Sequence, residues 1–143
     1  MNKDIIIGID AGTSLIKAVA FTHNGKEIGN SSVPNEYKIS SNGNATQPLE
    51  LTWKNCCRVI KLLKDQFSNL ENRVSAISVT GQGDGTWLID ENGEPVCDAW
   101  LWLDSRSSDI AKKLSNLASE EMRFISTGTG MFAGQQSSQL LFM

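Results

Sequence analysis

The sequence predicts an α/β fold: a mixed sheet with three antiparallel N-terminal strands and flanking helices. Three observations carry this expectation. The chain opens with two apolar runs, residues 5–9 and 15–21, joined through a glycine-containing turn. Apolar runs rich in β-branched residues and punctuated this way read as strand, tight turn, strand. A long helical stripe then precedes a further β-rich run at 74–81, and a strand reached through a helix returns to its sheet by a crossover.

The first strand ends on an acid, Asp10, and turns through Ala11-Gly12 into two hydroxyls, Thr13 and Ser14, with Lys17 on the strand that follows. Gly12 lets the backbone approach a ligand closely. Turn N–H groups and the two hydroxyls can line an anion-sized concavity. Asp10 is placed to hold a hydrated Mg²⁺, which keeps most of its waters and takes one or two carboxylates, and Lys17 supplies a point charge suited to phosphate. The plainer reading is an ordinary hairpin. The loop is neither a G-x-x-x-x-G-K-[ST] sequence nor a G-x-G-x-x-G sequence.

The second run stops at Thr22-His23-Asn24-Gly25, a hairpin signal that predicts a third strand over roughly 27–33. His23, the only histidine, sits at this turn and reads as solvent-exposed. Residues 34–47 are rich in Ser, Asn and Gly and read as a surface loop. Pro48 then opens a helix in which Leu49, Trp53, Cys56, Ile60, Leu63, Phe67 and Leu70 form one apolar stripe. On that stripe Trp53 and the cysteines face the core, and Ser68-Asn69 and Glu71-Asn72 mark the helix end. The strand at 74–81 reads as buried on both faces. Asp90-Glu91-Asn92-Gly93 marks another hairpin turn. Asp104 or Ser105 is expected to cap a helix carrying Ile110, Leu114 and Leu117, and Ser119 a shorter one through Phe124. From Ser126 the chain turns through Thr-Gly-Thr-Gly-Met-Phe-Ala-Gly and Gln-Gln-Ser-Ser-Gln to Leu-Leu-Phe-Met, a stretch to which no element is assigned.

The chain has 143 residues, 40% of them apolar and 20% charged, with a net charge of −3. That describes one globular domain and excludes the basic footprint of a nucleic-acid binder. Three cysteines, two adjacent, have no metal-ligand spacing and fit buried residues of a reducing compartment. No stretch has membrane length and the N-terminus lacks the pattern of a signal peptide, so the expected location is cytoplasmic.

The run at 74–81 leads into a second polar constellation, Gln82-Gly83-Asp84-Gly85-Thr86-Trp87. Ligands of open α/β sheets sit outside the carboxyl ends of strands. Gln82 and Asp84 offer partners to hydroxyl groups, an ionised aspartate being acceptor-only. Gly-Asp-Gly is equally a common turn, which Asp84 would merely cap.

In order and spacing three motifs resemble the FGGY family of carbohydrate kinases: Asp10-Ala11-Gly12-Thr13-Ser14 with Lys17, Gln82-Gly83-Asp84-Gly85, and Ala99-Trp100-Leu101-Trp102-Leu103-Asp104-Ser105-Arg106. The Gln47-Pro48 entry to the Trp53 helix is similar too. The resemblance implies a ribonuclease-H-like (actin-like ATPase) half-domain. It covers residues 1–143 as the N-terminal portion of the family's first domain, with the nucleotide-binding domain absent.

The activity implied is ATP- and Mg²⁺-dependent phosphorylation of a sugar or sugar alcohol. By the family pattern Asp10 organises the Mg²⁺, while Gly12, Thr13, Ser14 and Lys17 face the phosphates. Gln82, Gly83 and Asp84 belong to the segment that meets substrate hydroxyls, and Trp102 lies against the carbon skeleton. Asp104 and Arg106 match an aspartate-x-arginine element with a supporting role. Gly83 replaces longer side chains common at its position, and Gly134-Gln135-Gln136 stands where many relatives have an aromatic. Gly-Asp-Gly-Thr-Trp favours a pentulose or a small polyol such as erythritol.

Phosphoryl transfer also calls for a carboxylate near the acceptor hydroxyl. In this family it lies beyond residue 143, so the chain is expected to be a truncated fragment, inactive alone. A fragment of this kind is expected to expose apolar surface and to self-associate as a homo-oligomer. Two alternatives stay open at this point. One is a segment of an actin-like or chaperone-type ATPase, which would respond to nucleotide and to no polyol. The other is a non-catalytic sugar-binding module, in which Asp10 would not matter.

Overall fold

A computed structural model of the chain describes residues 3–143. The elements in chain order are β1 (Ile5–Ala11), β2 (Leu15–Thr22), β3 (Glu27–Pro34), β4 (Lys38–Ile39), β5 (Ala45–Gln47), α1 (Leu49–Lys64), α2 (Leu70–Arg73), β6 (Val74–Gly81), β7 (Gly85–Thr86), β8 (Ala99–Leu101), α3 (Ser108–Ser115), α4 (Glu120–Thr127) and α5 (Gln136–Phe142). They form two compact units. One comprises the chain through Glu36 and Glu50–Gln82; the other comprises Tyr37–Leu49 and Gly83–Met143.

The first unit is built on a four-stranded mixed sheet in the order β3-β2-β1-β6. β1 pairs antiparallel with β2 and parallel with β6, and β2 pairs antiparallel with β3. The expected crossover through the helix is therefore present. Period-2 alternation sends Ile5, Ile7, Ile9, Ile16, Ala18 and Ala20 inward, where they pack with Val33, Val59, Leu63 and Leu70. The same alternation turns Gly8, Asp10, Lys17 and Val19 to the other face. Ser31, buried on β3, donates to the Val59 carbonyl at 2.6 Å and ties α1 to the sheet.

Two expectations for this unit need correction. The buried side of α1 is carried by Asn55, Val59 and Leu63, while Trp53 is 68% exposed. Cys56 does pack against the core, half-buried and with its thiol pushed up by burial, but Cys57 is exposed, as is Cys97 in the other unit. The helix turns Asn55 to its buried side, where its compact amide donates to both the Pro34 carbonyl and Asn35 Oδ1. α1 also ends at Lys64. Phe67 follows in a turn, and Leu70 belongs to the separate α2, entered through Asn69 at a φ of 59°. β6 is the second correction. It is an edge strand exposed along most of its length, with Ile77 53% and Val79 65% accessible. An apolar run records that a strand can be buried; what packs on it decides whether it is.

The second unit has a four-stranded antiparallel sheet, β4-β5-β8-β7. Half of it comes from the stretch expected to be a surface loop, since Lys38–Ile39 and Ala45–Gln47 form a hairpin in which Ala45 and Gln47 are buried. Strands this short carry too little pattern to show. Gly93 turns at a φ of 81°, but the hairpin around it reduces to one bridge, Ile89 to Pro95. α3 starts at Ser108 after Ser107, with no side-chain cap, and buries Ala111; Leu117 lies beyond it and is 53% exposed. Asp104, expected as a cap, is instead buried among backbone donors. α5 was not expected at all, although it buries Ser138 and Gln139.

Candidate functional site

In the first unit the chemistry gathers at the carboxyl ends of β1 and β6. Asp10 lies opposite Lys17 on β2 and beside Thr80 on β6. All three line a cavity of about 230 Å³ together with Gly8, Ile9, Val19, Phe21 and Ser78. The structure therefore brings together the predicted acid and the predicted cation, and adds two hydroxyl residues, Ser78 and Thr80. Those were legible only as alternate positions of an apolar strand. Gly8 and Ser78 keep the cavity floor low between the larger Val19 and Phe21.

The turn residues Gly12, Thr13 and Ser14 follow Asp10 after Ala11 and are not among the cavity's lining residues. Gly12 is required there by space, because a Cβ would stand 2.8 Å from the Leu15 carbonyl oxygen. The turn is fastened from behind. Asn35, only 5% exposed, donates its side-chain amide to the Gly12 carbonyl at 3.1 Å, and its backbone N–H to the Ser14 carbonyl at 2.9 Å. Asn55 of α1 donates in turn to Asn35 Oδ1 and to the Pro34 carbonyl. Sequence reasoning missed both asparagines. The available signal was an amide in the middle of an otherwise apolar helix face.

Among the described residues no three His, Cys, Asp or Glu side chains converge in a way that could hold a metal. One carboxylate beside a lysine suits Mg²⁺, which stays largely hydrated and is shared with phosphate oxygens, rather than a metal that needs a protein cage.

The second unit presents the other constellation. Gly83 and Asp84 are exposed and lead into β7. A Cβ on Gly83 would meet nothing within 4 Å, so space does not dictate the glycine. Gly85 is different: its φ is 101°, and a Cβ would lie 2.5 Å from the Trp100 carbonyl oxygen. β7 and β8 pair Gly85 with Leu101 and Thr86 with Trp100. Asp84 and Trp102 therefore emerge from the same end of the ladder, and Trp102 is 48% exposed. Gln82, the last residue of the first unit, is half-buried.

Behind this edge lies a buried amide. Gln139 of α5, fully buried, accepts from the Thr86 hydroxyl at 2.7 Å and donates to the Leu101 carbonyl at 2.9 Å. Gly85 N–H donates to the Gly134 carbonyl at 2.9 Å, and the Gly134 backbone lies so close to the Trp102 carbonyl that a side chain there would collide with it. Asp104 is the hub of the adjoining turn. Its carboxylate accepts from Ala45 N–H at 2.8 Å, from Arg106 N–H, and from the Arg106 guanidinium down to 2.7 Å. That guanidinium stacks 3.3 Å over the Trp100 ring. Asp104 and Arg106 thus hold β5 and β8 to the turn that carries Trp102.

The family model described as the FGGY family of carbohydrate kinases, N-terminal domain, matches residues 5–143. The chain belongs to that family. Among its relatives, the erythritol kinase of Brucella abortus (strain 2308) is 46% identical over 140 residues, covering 98% of this chain and 27% of that protein. The glycerol kinase of Aquifex aeolicus (strain VF5) is 34% identical over 129 residues, 89% of this chain and 25% of that protein. The chain spans about a quarter of the length of these curated relatives.

A crystal structure of a xyloylose kinase from Brucella ovis superimposes with a TM-score of 0.87 at 23% identity, over 96% of this chain and 28% of that one. That likeness shows the fold, which is the actin-like ATPase half-domain. No helix of the described residues is long and apolar enough to cross a membrane.

Proposed function

We propose that the protein carrying this FGGY chain transfers the γ-phosphoryl group of ATP to a hydroxyl of a small polyol, with erythritol favoured and a pentulose next. The observation that carries the kinase reading is the pairing of Asp10 with Lys17 in one cavity at the strand ends. The 46% identity to an erythritol kinase supports the substrate, as does the free space beside Gly83.

On this reading Asp10 holds hydrated Mg²⁺. Lys17 balances phosphate charge, and the Gly12–Ser14 turn offers N–H groups and hydroxyls without side-chain obstruction. Mg·ATP supplies the transferable phosphoryl group and most of the charge neutralisation. Asp84 accepts hydrogen bonds from polyol hydroxyls, and Trp102 lies against their carbon chain. A carboxylate to take the acceptor proton is not assigned within these residues, since Asp10 and Asp84 already have other roles.

The test is an ATP-consumption assay on the whole protein with erythritol, glycerol and xylulose. Erythritol is expected to give the highest kcat/KM. Asp10→Ala should lower kcat by 100-fold or more, and Asp84→Ala should mainly raise the KM for the polyol. ATP hydrolysis that no polyol stimulates would overturn the reading in favour of a cycling ATPase. Polyol binding without any turnover, indifferent to Asp10→Ala, would favour a binding module.

A further inference from the structure

The asparagine pair behind the Gly12 turn is a device that the roles assigned so far do not include. Asn35 immediately follows β3 and is 5% exposed; Asn55 sits on the buried side of α1 and is 8% exposed. Burying two primary amides is costly unless their donors and acceptors are used. Here they are used on the loop. Asn35 Nδ2 donates to the Gly12 carbonyl at 3.1 Å and to Thr52 Oγ1 at 3.4 Å, and Asn35 Oδ1 accepts from Asn55 Nδ2 at 3.3 Å. Asn55 Nδ2 also reaches the Pro34 carbonyl at 3.2 Å, and the Asn35 backbone N–H donates to the Ser14 carbonyl at 2.9 Å.

The pair therefore takes hold of two carbonyls in a three-residue turn, Gly12 and Ser14, and anchors them to a helix. A trans peptide is planar with its C=O and N–H pointing opposite ways. Drawing the Gly12 carbonyl inward to Asn35 thus turns the Thr13 N–H away from the core side of the loop. A buried amide is well suited to this task. It donates and accepts at once, carries no charge that would compete with a phosphate, and cannot titrate.

We propose that Asn35, braced by Asn55, is the positioning residue that presets the Gly12–Ser14 turn for a polyphosphate anion. This rests on the reading of that turn as the phosphate-facing loop. Asn35 touches no reacting atom; it acts through the backbone it holds.

Two measurements on the whole protein test it, with Asn35→Ala and, as a milder second variant, Asn55→Ala. Without ligand, hydrogen exchange of the amides at 12–15 should accelerate tenfold or more in Asn35→Ala and less in Asn55→Ala. The α1 amides after residue 56 should keep their protection. In kinetics the KM for ATP should rise at least tenfold in Asn35→Ala, with the polyol KM within twofold and kcat reduced less than the ATP KM rises. Asn35→Asp, which loses the donor and adds charge, should not rescue either readout. Unchanged exchange at 12–15 in a folded variant would overturn the proposal, as would equal changes in the ATP and polyol KM. If the unmodified protein bound no nucleotide while the exchange result held, the phosphate reading would fail and the fastening of the loop would stand. Should Asn35→Ala not fold, the Asn55→Ala exchange result decides by itself.

Discussion

Asp4 and Arg73 show how a single pair ties distant parts of the first unit. Arg73 Nε and Nη2 donate to the two Asp4 oxygens at 3.0 and 2.7 Å, clasping the approach to β1 to the end of α2. The guanidinium's hydrogen bonds hold the Asp4 carboxyl below its ordinary range. A lowered folded-state value means the contribution is fully present above the unfolded-chain value of about 3.9, and is lost as pH falls through the folded one. Asp4→Asn should therefore lower the Tm at pH 6 slightly and remove part of the Tm loss below about pH 4. Thermal melts of both proteins across that range check it. At the same scale, Asp10, Gly12 and Lys17 were legible in the sequence because their order is chemical: acid, bend, cation. Asn35 and Asn55 were not, since an isolated amide announces no partner until the fold brings one to it.

At the scale of elements, α1 is the instructive case. Its periodicity was visible, but the side that faces the sheet was not. Trp53 and Asn55 exchange the places that hydrophobicity would assign them, because carbonyls at Pro34 and the Asn35 amide demand a donor at the interface. Substitution should expose the difference. Leu63→Ala, at a fully buried site, is expected to cost about 2–5 kcal/mol, and Trp53→Ala less than about 0.5 kcal/mol. Denaturant unfolding of the two variants measures both; a larger loss at Trp53 would restore the original stripe.

α5 is the corresponding case in the second unit. Gln139→Ala leaves the buried Thr86 hydroxyl without its acceptor and the Leu101 carbonyl with the Asp104 N–H alone, a loss of about 1–3 kcal/mol. Because those groups set the β7–β8 edge, the polyol KM should rise more than the ATP KM, which steady-state kinetics of the whole protein can read. Nothing in Gln-Ser-Ser-Gln-Leu-Leu-Phe advertises this, as its helix is short and its key contact is polar.

Taken as a molecule, the chain was most readable where many residues agree and least where two or three do. The first sheet follows from long β-branched runs and two glycine turns, and its antiparallel pairing of β1, β2 and β3 and the return of β6 to the same sheet match the expectation. The second sheet rests on strands of two or three residues, and its hairpin at Lys38–Ile39 and Ala45–Gln47 looks like any polar loop. Burial of β6 was misjudged for another reason. Its neighbours in sequence made it apolar, whereas accessibility depends on which surfaces meet it. Membership of a kinase family was visible only when the Asp10, Asp84 and Asp104 motifs were taken together in sequence order; each alone is an ordinary turn.

The parallel seam between β1 and β6 joins Ile9 to Val79 and Ile5 to Val74. During synthesis the two hairpins of β1, β2 and β3 emerge from the ribosome long before that partner does, and the intervening segment includes the whole Tyr37–Leu49 excursion into the other unit. Until translation passes residue 81, the outer rim of β1 is a bare template that another nascent chain could occupy. Polysomes translating this message slowly are where cross-pairing between copies should first arise.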